Sequence, residues 1–167
     1  MTSDDDHFLA SINPPADPVR GPAGAVSSEV FAFGRLPLAF SARCFTARHH
    51  RLNKDECEFR CRDDADGLLV ATSEGQPFLA LNGIQVQSAG VQCLIGHGDA
   101  LRAAGVQRVR LSPCGSGFAQ VVRLFDAVFN LGLPVAQART ELAVLPLPGA
   151  LVDGFARGRP GMHPLAA

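Results

Sequence analysis

The sequence predicts a mixed α/β domain, and three observations lead to this fold class. The aromatic, alternating segment EVFAFGRLPL predicts a strand over residues 29–38. Two apolar runs, residues 68–72 and 77–81, flank Ser-Glu-Gly-Gln and predict a β-hairpin. A helix, a strand and a second helix are predicted after residue 98. A strand and a hairpin followed by helix, strand and helix indicate an α/β or α+β arrangement.

The chain begins with a segment that differs in composition from the rest. Residues 1–28 are rich in Asp, Pro, Gly and Ser and show no apolar periodicity, which predicts a poorly ordered leader. The remaining residues, 29–167, are long enough for one domain with a sizeable core. We therefore predict a leader followed by a single domain.

A short helix and a polar loop are predicted after the first strand. Ser41 is a candidate cap for a helix ending near residue 48, which would place Cys44 in the first turn. Residues 49–66 are polar and irregular, so Cys57 and Cys61 are expected on a loop. The cysteines are thus predicted on two adjoining segments.

The second half of the chain alternates between helix and strand. A helix is predicted over residues 99–104, ended by Gly105, and a strand over 106–111. A longer amphipathic helix is predicted from apolar residues at helical spacing: Phe118, Val121, Val122, Phe125, Val128 and Phe129. The proline-containing tail that follows, to residue 167, is predicted to be irregular and to lie on the surface.

Composition excludes several function classes. The formal net charge of −1 gives no general attraction to nucleic acid or to anionic lipid. The acidic N-terminal residues lack the basic region and apolar stretch of a secretory signal. A cytoplasmic location is therefore expected, and thiols stay reduced in that compartment.

Three cysteines, Cys44, Cys57 and Cys61, lie in one arginine-rich stretch. In a reducing compartment such a group favours a metal over a disulfide. An iron–sulfur cluster needs four ligands, usually thiolates, whereas zinc would accept the same sulfurs with His49 or His50 as a fourth ligand. The remaining alternative is that these are ordinary reduced cysteines, some of them buried. The spacing alone leaves the three alternatives open.

The cysteine segment also resembles a known family. SEVFAFGRLPLAFSARCFTARHHRLNKDECEFRC is similar to the segment around the cluster cysteines of UbiV-like ubiquinone biosynthesis proteins. These belong to the collagenase-like peptidase superfamily (family U thirty-two). FLALNGIQVQSAG, VQRVRLSP and DGFARGRPGM extend the similarity, in order, to about residue 162. The chain thus resembles the C-terminal half of this family.

The resemblance implies a fold, a cofactor and a function. The fold would be part of a barrel-like α/β domain with a cysteine-bearing loop. The cofactor would be a 4Fe-4S cluster, with Cys44, Cys57 and Cys61 matching three of its four ligands. The chain would support oxygen-independent hydroxylation of the ubiquinone ring. It would act as a heterodimer with a UbiU-like homologue, assisted by a sterol-carrier-like lipid-binding protein.

The fourth ligand is not assigned by the family pattern, because that cysteine lies in the half of the family's chains that has no counterpart here. We hypothesise that Cys93 supplies it, with Cys114 or a partner residue as the alternative. No nucleophile or general base stands out, so no catalytic side chain is predicted and peptidase activity is not expected. A zinc-stabilised interaction module and an inactive fragment are the other functional alternatives.

Overall fold

The computed structural model describes residues 20–21, 24–25 and 27–165. Most of the leader predicted for residues 1–28 therefore lies outside the described residues. Two described pairs within it, β1 (Arg20–Gly21) and β2 (Gly24–Ala25), form a small antiparallel ladder.

The domain is mixed α/β, as the sequence predicts. Its larger sheet contains six strands: β3 Glu29–Phe40, β4 Leu68–Ala71, β5 Pro77–Asn82, β6 Gln85–Cys93, β7 Arg108–Leu111 and β8 Leu151–Val152. The α-helices of the described residues are α1 Phe45–His49, α2 Gly98–Ala103, α3 Phe118–Asn130 and α4 Val135–Ala143. Short 3-10 turns occupy Lys54–Glu56, Arg60–Arg62 and Gly154–Arg157.

The sheet has both parallel and antiparallel neighbours. Its order is β4-β5-β6-β3-β7, and β8 pairs with the last residues of β6. The β4–β5–β6–β3 ladders are antiparallel, whereas β7 lies parallel to β3 and β8 parallel to β6. Among the described strands β4 and β7 stand at the two ends of this order and do not pair with each other, so the sheet is open rather than closed into a barrel.

The core lies between the sheet and the helices of the second half. It contains Phe33 of β3 and Cys93 of β6 together with Val121, Phe125 and Leu142 from the helices, all nearly fully buried. The rings of Phe33 and Phe125 meet edge to face, with centroids 6.0 Å apart. Helices α3 and α4 therefore cover one face of the sheet.

Several predicted elements are confirmed. The first strand runs two residues beyond its predicted end, to Phe40, and β4 and β5 form the predicted hairpin. Helix α2, strand β7 and helix α3 match the predicted helix, strand and helix closely. The strongest sequence signal, the apolar stripe from Phe118 to Phe129, lies within helix α3.

Three details of the prediction are wrong. Helix α1 begins at Phe45, and its N-cap is Cys44 rather than Ser41. The long strand β6, which follows Asn82, is not among the elements predicted from the sequence. The tail is not simply irregular, since it contains helix α4 and strand β8. No helix in the described part of the chain is long and apolar enough to cross a bilayer.

Candidate functional site

Helix α1 is fixed to the turn between β5 and β6. The backbone N–H of Phe45 donates to the carbonyl of Gly83 at 2.7 Å. The Thr46 hydroxyl, on a side chain that is almost fully buried, accepts from the N–H of Gly83 at 3.1 Å. These bonds hold the first turn of the helix, and with it Cys44, at the end of the sheet where β3 finishes.

Cys44 takes the N-cap position that Ser, Thr, Asp or Asn usually occupies. Its backbone is extended, and its sulfur accepts a hydrogen bond from the N–H of Ala47 at 3.4 Å. The side chain is half-buried and forms no disulfide. The sulfur is therefore oriented by the helix while remaining accessible.

Cys57 and Cys61 lie on successive tight turns. Cys57 ends the 3-10 turn Lys54–Glu56, and Cys61 is the middle residue of Arg60–Arg62. Between them Glu58 and Phe59 have positive φ values of 51° and 56°, which reverse the chain. Non-glycine residues rarely adopt this left-handed conformation, and it costs about 1–2 kcal/mol for each residue. The C-x3-C segment is thus tightly folded, and both of its thiols are free and half-buried.

The turn that carries Cys61 packs against helix α1, which follows Cys44. A longer contact between the imidazole of His50 and the carboxylate of Asp64, at 3.9 Å, spans the same two segments. The three predicted ligands are therefore on neighbouring elements. In the described part of the chain, however, no three His, Cys, Asp or Glu side chains are arranged to hold a metal ion.

A basic, open cavity lies beside Cys44. Its volume is about 460 Å³, and its lining includes Cys44, Arg43, Arg48 and Arg51. Among the described residues these three arginines form no ion pair with a carboxylate. The surroundings of Cys44 therefore carry uncompensated positive charge.

The structure does not bring Cys93 to the other three cysteines. Cys93 pairs with Phe33 in the β3–β6 ladder, whereas Cys44 follows Phe40 at the far end of β3. At about 3.3 Å per residue the stretch from Phe33 to Phe40 spans roughly 20 Å. Cys93 is also fully buried, and this burial raises the pKa of its thiol to about 11. Cys93 is placed as a core residue.

Cys114, unlike Cys93, lies near the end of the loop that carries Cys57 and Cys61 (residues 50–67, the cysteine loop). The N–H of the next residue, Gly115, donates to the carboxylate of Asp66 at 2.8 Å, and Asp66 follows the turn that carries Cys61. Burial, and then the negative charge of Asp66, raise the pKa of the half-buried Cys114 thiol. This link connects the loop after β7 to the predicted metal-binding loop.

Two features of the site were missed from the sequence. Arg51 was not singled out, and no helix-face spacing signals it, because it follows helix α1 and has a φ of 58°. The contact between Asp66 and Gly115 joins residues 49 positions apart, and no local pattern signals it.

No protein-family model matches this chain. No solved structure matches it. The resemblance to UbiV-like proteins therefore stays a hypothesis.

Proposed function

We propose that this chain binds a 4Fe-4S cluster through Cys44, Cys57 and Cys61. The observation that carries the proposal is the packing of helix α1 against the Arg60–Arg62 turn, because it makes neighbours of the segments that bear these cysteines. All three thiols are free and half-buried, so they are both sheltered and reachable. Several nearby arginines would offset the negative charge of a thiolate-bound cluster.

The cysteine loop closes around the cluster when the cluster binds. Residues 50–67 consist of turns and short 3-10 segments with no strand pairing, so a small rearrangement breaks no sheet hydrogen bond. Coupling of metal binding to local folding is common in small metal sites. The thiols need not converge before the cluster is present.

The fourth ligand in this proposal is Cys114 rather than Cys93. Cys114 is attached to the cysteine loop by the bond between Gly115 and Asp66. Cys93 lies in the core, roughly 20 Å along the sheet from the end that bears Cys44, by the rise of a strand. A thiolate from a partner subunit would fill the same position if Cys114 does not.

The cluster serves oxygen-independent hydroxylation of the ubiquinone ring, in electron transfer or in handling the oxygen atom. This role follows from the resemblance to UbiV-like proteins. The open sheet forms part of a barrel-like domain, and a UbiU-like homologue is the partner in a heterodimer. A sterol-carrier-like lipid-binding protein assists with the apolar substrate. Co-purification with the UbiU-like homologue tests the partner.

Iron content after reconstitution without oxygen tests the cofactor. The full chain is expected to bind about four iron ions and to turn brown, with broad visible absorption. Cys44→Ala and Cys61→Ala each remove a ligand, so both variants are expected to lose most of their iron. Iron and acid-labile sulfide per chain are measured on the same samples.

Cys93→Ala is the matched control, since it removes a cysteine that lies outside the proposed site. It is expected to retain its iron, whereas Cys114→Ala is expected to lose part of it. Iron loss in Cys93→Ala with none in Cys114→Ala would show that Cys93, rather than Cys114, is the fourth ligand. A colourless sample with stoichiometric zinc would instead support a zinc-stabilised module, and a sample with neither metal would refute metal binding.

A further inference from the structure

Three arginines beside the proposed cluster site have no assigned role. Arg43, Arg48 and Arg51 are exposed and line the 460 Å³ cavity that also contains Cys44. None forms an ion pair with a described carboxylate, in contrast to Arg60, which contacts both Glu58 and Asp63. Three positively charged side chains without a carboxylate partner among the described residues therefore line one open cavity.

The backbone of Arg51 supplies a second, independent observation. Arg51 has a φ of 58°, and it follows helix α1 at the place where its N–H bonds back to the carbonyl of Arg48. The next N–H, of Leu52, bonds to the carbonyl of Ala47. Glycine usually occupies such a helix-terminating position because it adopts positive φ without strain. Arg51 therefore holds a backbone conformation that glycine would adopt with less strain.

The chemistry of the lining favours an oxyanion. A guanidinium group is planar and always charged, and it matches the paired oxygens of a carboxylate or a phosphate. The cavity volume is within the range of small-molecule sites. Asn53, which also lines the cavity, donates to the carboxylate of Glu56 at 3.1 Å, so that acidic group already has a partner.

We propose that this cavity binds a small molecule bearing a phosphate or carboxylate group, held by Arg43, Arg48 and Arg51 directly beside the Cys44 thiol. This proposal rests on the proposed function, because the cavity is a substrate site only if a cluster binds beside it. The bound oxyanion would place the rest of the molecule next to the cluster. The binding itself requires only the arginines.

Titration calorimetry of the metal-free full chain tests this site with two probes, inorganic phosphate and malonate, at constant ionic strength. At least one probe is expected to bind to the wild-type chain, and the tighter one distinguishes a phosphate from a carboxylate ligand. Arg51→Gly is the informative variant, because glycine relieves the positive φ while it removes the guanidinium. It is expected to fold at least as well and to bind at least about tenfold more weakly.

Arg123→Ala is the matched control, since Arg123 is an exposed arginine on helix α3, outside the cavity. Its affinity for the probe is expected to equal that of the wild-type chain. Equal affinity in Arg51→Gly, or no binding of either probe to the wild-type chain, would overturn the proposal. The outcome is separable from cluster binding: iron content intact with oxyanion binding lost refutes only this site, and the reverse refutes only the cluster.

Discussion

At the scale of single residues, the five cysteines differ in their access to solvent. Cys93 has no exposed surface and lies among Phe33, Ile95 and Val121 in the core. Its burial disfavours the thiolate and raises the pKa of the thiol from 9.0 to about 11. Cys44, by contrast, is half-buried. The thiol of Cys93 is thus part of the apolar core, whereas the thiol of Cys44 is a proposed ligand.

The Cys93 thiol makes stability depend on pH in the alkaline range. The folded protein holds the thiol proton up to about pH 11, whereas the unfolded chain releases it near pH 9. Stability from this group is therefore complete below pH 9 and is lost between pH 9 and 11, by about 3 kcal/mol. Urea unfolding followed by circular dichroism at pH 8 and pH 10.5 measures the part of this loss that has developed by pH 10.5, about 2 kcal/mol. The chain contains no tyrosine, so no phenol titrates in the same range.

Cys93→Ala provides the comparison for this pH effect. The variant lacks the buried thiol, so its stability is expected to fall less between pH 8 and 10.5 than that of the wild-type chain. The Cys114 thiol, whose pKa is also raised, remains in both proteins and cancels in the difference. Parallel pH profiles for the two proteins would show that the Cys93 proton does not contribute.

Alkylation distinguishes the same cysteines chemically. Iodoacetamide reacts with thiolates that it reaches, so at pH 8 the native metal-free chain is expected to be labelled first at Cys44, Cys57 and Cys61. Cys93 is expected to react only after unfolding. Peptide mass spectrometry at successive times gives the rate for each residue. Labelling of Cys93 as fast as Cys57 would contradict its burial.

At the scale of elements, helix α3 packs its apolar face against the sheet. Phe125 is nearly fully buried and meets both Phe33 and Phe129 through its ring. Phe125→Ala is expected to lower the free energy of unfolding by about 3–5 kcal/mol, because it removes a large core side chain and leaves a cavity. Val122, on the outer side of the same helix, is 41% exposed. Val122→Ala is therefore expected to cost less than about 1 kcal/mol, and equal effects in urea unfolding would contradict the packing.

The same elements show what the sequence predicts and what it leaves out. Helix α3 carries a regular apolar stripe on one face, so its period reveals it. Strand β6 does not alternate regularly, because the consecutive residues 91–93 are all buried and the strand includes small and polar residues such as Ser88 and Gln92. Helix α4 buries only Ala138 and Leu142, and the prolines around it suggest an irregular tail. Periodicity therefore identifies elements with one apolar face and misses the others.

The candidate site follows the same rule. The grouping of Cys44, Cys57 and Cys61 is local in sequence, so spacing alone finds it. The fourth ligand depends on tertiary structure. Cys93 and Cys114 are far from the other three cysteines in the sequence, and no local pattern shows where either one lies in the fold. The sheet register, which pairs Cys93 with Phe33 and so separates it from Cys44, is known only from the fold.

At the scale of the whole molecule, a buried ionic group connects the C-terminal segment to the core. Asp153 is 1% exposed and accepts from Arg157 at 2.9 and 2.6 Å through one carboxylate oxygen. Its other oxygen lies 3.2 Å from Nε2 of His97, which follows β6 by four residues. Arg157 also donates to the carbonyl of Pro164 at 2.6 Å. One carboxylate therefore joins the segment after β6 to the C-terminal segment.

Removal of that carboxylate is expected to destabilise the whole fold. Asp153→Ala leaves His97 and Arg157 without their shared acceptor, and breaking a buried ion pair typically costs about 3–5 kcal/mol. Urea unfolding is expected to show one cooperative transition at a lower midpoint, because the segment that holds β8 against β6 loosens together with the core. Asp99→Ala is the control, since Asp99 pairs with Arg102 in full solvent at 3.2 Å, and no measurable change is expected there. A separate early transition in Asp153→Ala would instead show that the C-terminal segment unfolds independently of the sheet.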